Sequence, residues 1–254
     1  MKKTSIPDSV SDQNFHNLIS IASSLFYGLI EHYRNLGLQY VDVPEIVGIT
    51  GACENVDTLF KVGNRLNLPL FFTQTGQLAL EQALQNTHGV YTVIHSGRDE
   101  EKEDARHLRQ FRLTEEEFDC TLASMTRETY DEERMYEALL EHIERATKAM
   151  IRSVMKEHHG MIAKAYGRDI GLLKEIIERP YLRIRYEDAV ALLGKNGYPD
   201  LSFGDDLGAE QEAKIVELVN KGAKRYGDRI DRYSPVFIMR YPKEIKFFNM
   251  KVSQ

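Results

Sequence analysis

This chain lacks most of the devices that divide, staple or anchor a protein. Its two cysteines, Cys53 and Cys120, are too few and too isolated for a disulfide framework or a cysteine-held zinc site, and they read as reduced thiols. No stretch approaches the roughly 18 apolar residues that a membrane span needs. The opening MKKTSIPDSVSDQN carries lysines with no apolar run behind them, which excludes a targeting leader. The phosphate-cradling patterns GxxxxGKS/T and GxGxxG, the nucleophile elbow GxSxG and the metal pairs HExxH and CxxC are all missing. P-loop, Rossmann and α/β-hydrolase chemistry therefore lack their motifs. These absences point to a cytoplasmic protein with no membrane partner. No repeat or Gly/Ser/Pro-rich linker breaks the sequence, so residues 1–254 read as a single domain, with 1–14 as a flexible N-terminal segment. The net charge of −6 argues against a broad nucleic-acid-coating surface and leaves room for a local basic groove.

What is present is ordered patterning. Phe15, Leu18, Ile19, Ala22, Leu25, Phe26, Leu29 and Tyr33 recur at helical spacing, and Gly37 is placed to end that helix before a β-rich run, Leu38 to Pro44. Beyond a polar loop, Thr50 to Asp57, two apolar runs, Thr58 to Val62 and Leu68 to Thr73, flank GNRLN as a hairpin. A helix over Gly76 to Asn86, a strand over Val90 to His95, a charged segment from Arg98 to His107 and a strand over Leu108 to Phe118 follow. A long amphipathic helix is expected over Asp131 to His158, with Met135, Leu139, Leu140, Ile143, Ala146, Met150 and Val154 as its core stripe and His158–His159 as its solvated end. Shorter helices at 167–178, 186–195 and 208–224 lead to two closing strands, Val236 to Arg240 and Ile245 to Lys251. Long helices with hairpin strands predict an α+β fold on a mainly antiparallel sheet flanked by helices.

The most charged place is the segment between the two central strands. Arg98 and Arg106 suit a bidentate grip on phosphate oxygens, and the ring of Phe111 suits stacking on a base, as in a nucleotide triphosphate site. The same segment also reads as a solvated hairpin tip. A second cluster, LSFGDDLGAEQE, sets Asp205, Asp206, Glu210 and Glu212 at the mouth of a helix. Such carboxylates either serve the helix end or orient an ammonium group or a magnesium-bound polyphosphate.

The runs TQTGQLALEQAL from Thr73, VYTVIHSGRDEEKEDARHLRQF, LTEEEF, FGDDLGAEQE and PVFIMRYPKEIKFFNMK together resemble the catalytic core of asparaginyl-tRNA synthetase over about residues 15 to 251. Aspartyl enzymes and an archaeal asparagine synthetase paralogue are relatives of that class II family. The resemblance implies a class II antiparallel sheet, with Phe15 to Pro44 similar to motif 1 and therefore a homodimer formed through residues 15–44. Arg98, Glu100, Arg106, His107, Leu108 and Phe111 match motif 2. By that likeness Arg98 is the catalytic residue, holding the α-phosphate of ATP and the substrate carboxylate. Glu100 would accept from the adenine amino group, Arg106 or His107 would reach the outer phosphates, and Phe111 would stack on the adenine. Substrate choice would fall to Thr75, Gln77 and Glu81, with Glu54 on the α-ammonium. Aspartyl enzymes carry a lysine at the place of Leu80, whose absence disfavours aspartate. ATP and Mg2+ are the implied cofactors, with Asp205 and Asp206 as the metal candidates.

Departures from the family pattern shape the expected function. Gly97 stands where the family has Phe, and Gln110 where it has Glu. The core begins within the first fifteen residues, with no anticodon-binding barrel before it, and the sequence stops before motif 3, so a C-terminally truncated core is expected. The leading expectation is tRNA-independent, ATP-dependent adenylation of asparagine or a similar small amino acid, with tRNA an unlikely partner. Two others stand beside it: a non-catalytic nucleotide- or amino-acid-binding paralogue or partner subunit, and aminoacylation of tRNA(Asn) with the missing parts supplied elsewhere.

Overall fold

A computed structural model describes residues 13–51, 56–100, 108–223, 233–246 and 251–252. Helix α1 (Gln13–Asn35) ends where expected: Gly37 adopts φ +76°, Gly37 N donates to Arg34 O and Leu38 N to Tyr33 O. This is the paired closure of a left-handed C-terminal cap, which glycine enters without a Cβ clash. The β-rich run that follows pairs over two residues only, β1 (Gln39–Tyr40). Residues 13 and 14, read as flexible, already belong to α1; residues 1–12 lie outside the described set.

Contacts divide the chain into two compact units, Ile30–Ile143 and Met1–Leu29 with Glu144–Gln254. The Ile30–Ile143 unit holds two sheets. One has the order β1, β5 (Gly89–Gly97), β6 (Gln110–Phe118), and the other β2 (Ile46–Val47), β4 (Leu70–Phe72), β3 (Lys61–Val62). The expected GNRLN hairpin is the antiparallel β3–β4 pair. Strands β5 and β6 form an unbroken antiparallel ladder from Gly89↔Phe118 to Gly97↔Gln110. Alternation along the ladder sends Val90, Ile94 and Leu113 to one face. There they join Val43 and the fully buried Leu80 of α2 (Gln77–Leu84) in an apolar cluster. Thr75 Oγ1 accepts from Gln77 N at 3.1 Å, just before α2, whose N-cap is Gly76.

Helix α3 (Glu132–Tyr166) opens on Asp131, whose carboxylate accepts from Arg134 N at 2.7 Å. It runs eight residues past the expected end at His158, so the His158–His159 pair is not a helix end. His158 Nε2 instead lies 2.9 Å from Ser24 Oγ of α1. Of the expected core stripe, Leu140, Ala146 and Val154 are buried, while Leu139 and Ile143 are exposed. The other unit also carries α4 (Ile170–Glu178), capped by Asp169 on Leu172 N, and β7 (Leu182–Arg185), α5 (Tyr186–Gly194), α6 (Ala209–Gly222) and β8 (Val236–Met239). Tyr186, Leu193 and Ile215 are its fully buried anchors. Strands β7 and β8 pair in parallel, a departure from the antiparallel expectation in this unit. Of the last expected strand, Ile245 to Lys251, the first residue belongs instead to a short 3₁₀ turn, Lys243–Ile245, that follows Pro242, and residues 247–250 lie outside the described set.

Candidate nucleotide and amino-acid site

The β5–β6 ladder brings Arg98, Glu100, Leu108 and Phe111 of motif 2 to its Gly97–Gln110 end. Arg98 follows β5 directly, and its backbone N donates to Arg109 O at 2.9 Å. Phe111 lies on β6 opposite Ser96, two residues from Arg98 along the ladder. The Arg98 guanidinium is 52% exposed and sits 3.9 Å from the Glu100 carboxylate. That separation is too long for a strong bond, so among the described residues the cation is held loosely and stays open to an anion. Arg109 fixes the turn from the other side, donating to Glu100 O at 2.9 Å and pairing with Asp99 at 3.5 Å. Arg106, His107 and Glu54 lie outside the described residues.

The two departures at Gly97 and Gln110 are one cross-strand pair. A Cβ on Gly97 would fall 2.8 Å from Arg109 O and 3.2 Å from the ring of Phe60. Phe60 therefore occupies the space that a side chain at position 97 needs, and glycine is the residue that fits. Gly97→Ala is expected to push on the carbonyl that anchors Arg98 N and to lower stability by about 1–3 kcal/mol, as overpacking does. Urea unfolding of the variant against the parent checks this, and an unchanged midpoint would refute the close fit.

Thr75 and Gln77 are placed by the turn that crosses β5. Ser96 Oγ donates to Gln74 O at 3.0 Å, and Gly76 N donates to Glu115 Oε2 at 2.5 Å. Thr75 Oγ1 donates to the other oxygen of Glu115. Glu115, on β6, thus locks the TQTG turn. The motif reading singled out no role for it, although its place two strand steps from Leu113 on the α2 face was the available signal. Gln77 Nε2 turns away and donates to Glu81 at 2.7 Å.

Glu81 is not brought together with Arg98. It is exposed, and with Gln85, His88, Asp119 and Arg127 it lines a polar cavity of about 490 Å³ at the Gly89–Phe118 end of the ladder. Its charge is felt at Glu117, whose carboxyl is pushed up by burial first and then by Glu81, Glu115 and Glu116. On the opposite face Glu116 meets the buried His142 Nε2 at 2.6 Å. Tyr33 is pushed up to about 12 by burial and by the same Glu116.

Asp205 and Asp206 are exposed and occupied locally. Asp205 accepts from Ser202 N at 2.7 Å, and Asp206 accepts from Leu207 N at 3.1 Å. They belong to the other unit, where Tyr186 OH donates to Asp205 O at 2.5 Å. Among the described residues no three or more His, Cys, Asp or Glu side chains are arranged to hold a metal ion. This pair therefore does not fit Mg2+, and no step below passes through it.

Residues 6–254 match the family described as tRNA synthetases class II (D, K and N). The chain belongs to this family. It is similar to the asparagine–tRNA ligase of Thermoplasma acidophilum, at 29% identity over 240 residues, covering 94% of this chain and 48% of that protein. The asparagine–tRNA ligase of Sorangium cellulosum is 29% identical over 247 residues, with 93% and 48% covered. This class II core thus spans about half the length of the curated relatives it matches. Among solved structures it resembles asparaginyl-tRNA synthetase from Pyrococcus horikoshii complexed with asparaginyl-adenylate. The TM-score is 0.74 at 27% identity, over 92% of this chain and 46% of that one. The asparaginyl-tRNA synthetase of Entamoeba histolytica, with TM-score 0.71 and 21% identity over 99% of this chain and 51% of that one, shares the fold. The class II architecture expected from motif 2 is therefore present, in an asparaginyl-tRNA synthetase-like core. Among the described residues no helix is long and apolar enough to cross a membrane.

Proposed function

We propose that this class II core binds ATP and a small amino acid, asparagine by similarity, and joins them as an aminoacyl adenylate. The amino-acid carboxylate oxygen attacks the α-phosphorus, the bond from that phosphorus to the bridging oxygen of the β-phosphate breaks, and pyrophosphate leaves with the electron pair. No protein nucleophile and no RNA take part in this half-reaction. What it needs is alignment and cancellation of charge on the α-phosphoryl oxygens. Arg98 supplies that charge, and Phe111 and Glu100 hold the adenine at its ring face and amino group. The reading is carried by one observation: the loosely paired Arg98 guanidinium and the Phe111 ring stand at the same end of one ladder. The adenylate-bound relative from Pyrococcus horikoshii supports it.

Amino-acid-dependent exchange of pyrophosphate into ATP, across a panel of amino acids, tests this directly. Exchange that depends on asparagine or a close analogue supports the reading. ATP binding with no exchange for any amino acid would replace it with a nucleotide-binding role, and charging of tRNA in the same preparation would extend it. The core is further proposed to act as a homodimer through residues 15–44. Phe15, Leu18, Ile19 and Tyr27 on α1 are exposed, an apolar set that a second copy would cover. Light scattering on a sizing column is expected to give twice the 29.3 kDa chain mass. A monomer at micromolar concentration would overturn the assembly.

A further inference from the structure

Gln74 immediately precedes the turn that bears Thr75, and it is 5% exposed. Its Nε2 donates to Thr58 O at 3.0 Å and to Thr58 Oγ1 at 3.1 Å. The same Thr58 carbonyl accepts from Asp99 N at 2.8 Å, and Asp99 is the residue after Arg98. On its other side the Gln74 backbone carbonyl accepts from Ser96 Oγ, two residues before Arg98. Gln74 therefore ties Thr58 through its side-chain amide and Ser96 through its backbone carbonyl, and the Thr58 carbonyl it holds is shared with Asp99 N. The orientation of the amide is fixed chemically: a carbonyl faces it at Thr58, so the atom there must be the donor, and Oε1 points away. That Oε1 is buried with no hydrogen-bond partner among the described residues. A buried acceptor without a partner is costly, and a glutamine kept for stability would be satisfied at both ends.

We propose that Gln74 is a positioning residue, retained to hold the Arg98 backbone through Thr58 rather than to stabilise the fold. It touches neither substrate in this role. The inference rests on the adenylation reading for the step that Arg98 serves, while the clamp itself is a property of the folded chain.

Gln74→Met keeps the volume and removes both the donor and the unpaired acceptor. Thr58 O retains Asp99 N in this variant, so the loss strands no carbonyl. The expected result is a Tm equal to or above the parent's, together with faster amide hydrogen exchange in a peptide covering residues 96–100. In the pyrophosphate exchange assay kcat is expected to fall about tenfold with KM for the amino acid within about twofold, the pattern of an interaction realised in the transition state. On an Arg98→Ala background the substitution should cause no further fall, because two residues acting as one unit are not additive. Gln74→Glu, which keeps Oε1 and loses the donor when ionised, should regain rate per folded molecule as pH falls and the carboxyl becomes a donor. Gln74→Met should not. A Tm that falls in step with kcat, a full additional loss on the Arg98→Ala background, or hydrogen exchange unchanged over 96–100 would each overturn the proposal. A parent chain with no exchange activity would sink the adenylation reading instead, and hydrogen exchange alone would then decide the clamp.

Discussion

Arg98→Ala is expected to lower asparagine-dependent exchange of pyrophosphate into ATP by on the order of 10² to 10³, the loss that follows removal of one transition-state charge donor. The size follows from the chemistry. Negative charge grows on the α-phosphoryl oxygens as the carboxylate attacks, and a guanidinium set beside them cancels it without reorganising. Arg98 is suited to this because Glu100, its carboxylate partner among the described residues, lies 3.9 Å away and holds it only weakly. The effect should appear mainly in kcat. Arg98→Lys should fall between the parent and the alanine variant, since a lysine keeps the charge and loses the planar fork. Thermal unfolding should be nearly unchanged, because the side chain is 52% exposed. An Arg98→Ala variant that exchanges at the parental rate would remove Arg98 from the chemistry.

Leu80→Ala should be the most damaging conservative substitution in the Ile30–Ile143 unit. Leu80 is 0% exposed and packs against Val43, Val90 and Ile94, so truncation leaves a cavity between α2 and the β5–β6 sheet. Buried leucine truncations cost about 2–5 kcal/mol, depending on how far the site collapses. Guanidinium unfolding measures this, with Glu81→Ala as the control one position away. Glu81 is exposed, and its loss should stay within about 0.5 kcal/mol. Equal effects for the two variants would contradict the burial described for α2. The position also carries a family contrast, since aspartyl enzymes place a lysine there. In this chain the side chain serves as apolar core, and a charge would have to be desolvated to enter.

Much of the local structure was legible because its causes are local. Gly37 ended α1 as its position required, and the apolar runs around GNRLN paired as a hairpin. The two strands on either side of the charged segment, Gly89–Gly97 and Gln110–Phe118, read correctly. Strand β7 was missed although Leu182, Arg183, Ile184 and Arg185 alternate as a half-buried strand does. Its short length, between two helices, hid it. The α3 stripe failed at Leu139 and Ile143 because helical spacing defines a face but not what covers it. His158 looked solvated because its partner, Ser24, is 134 residues away.

The sequence by itself determined the family and the ladder end where Arg98 and Phe111 meet, since both depend on residue types at fixed spacing along one hairpin. Only the tertiary structure decided which groups those residues work beside. Glu115 reaches back 39 residues to Gly76 N, Gln74 joins Thr58 to the flank of Arg98, and the Phe60 ring lies over Gly97. It also turned Asp205 and Asp206 toward their own loop and put Glu81 at the other end of the ladder from Arg98. The physical reason is the same in each case. A hydrogen bond or a close ring contact is satisfied across a few ångströms of space, and periodicity along the chain does not say which distant residue arrives there.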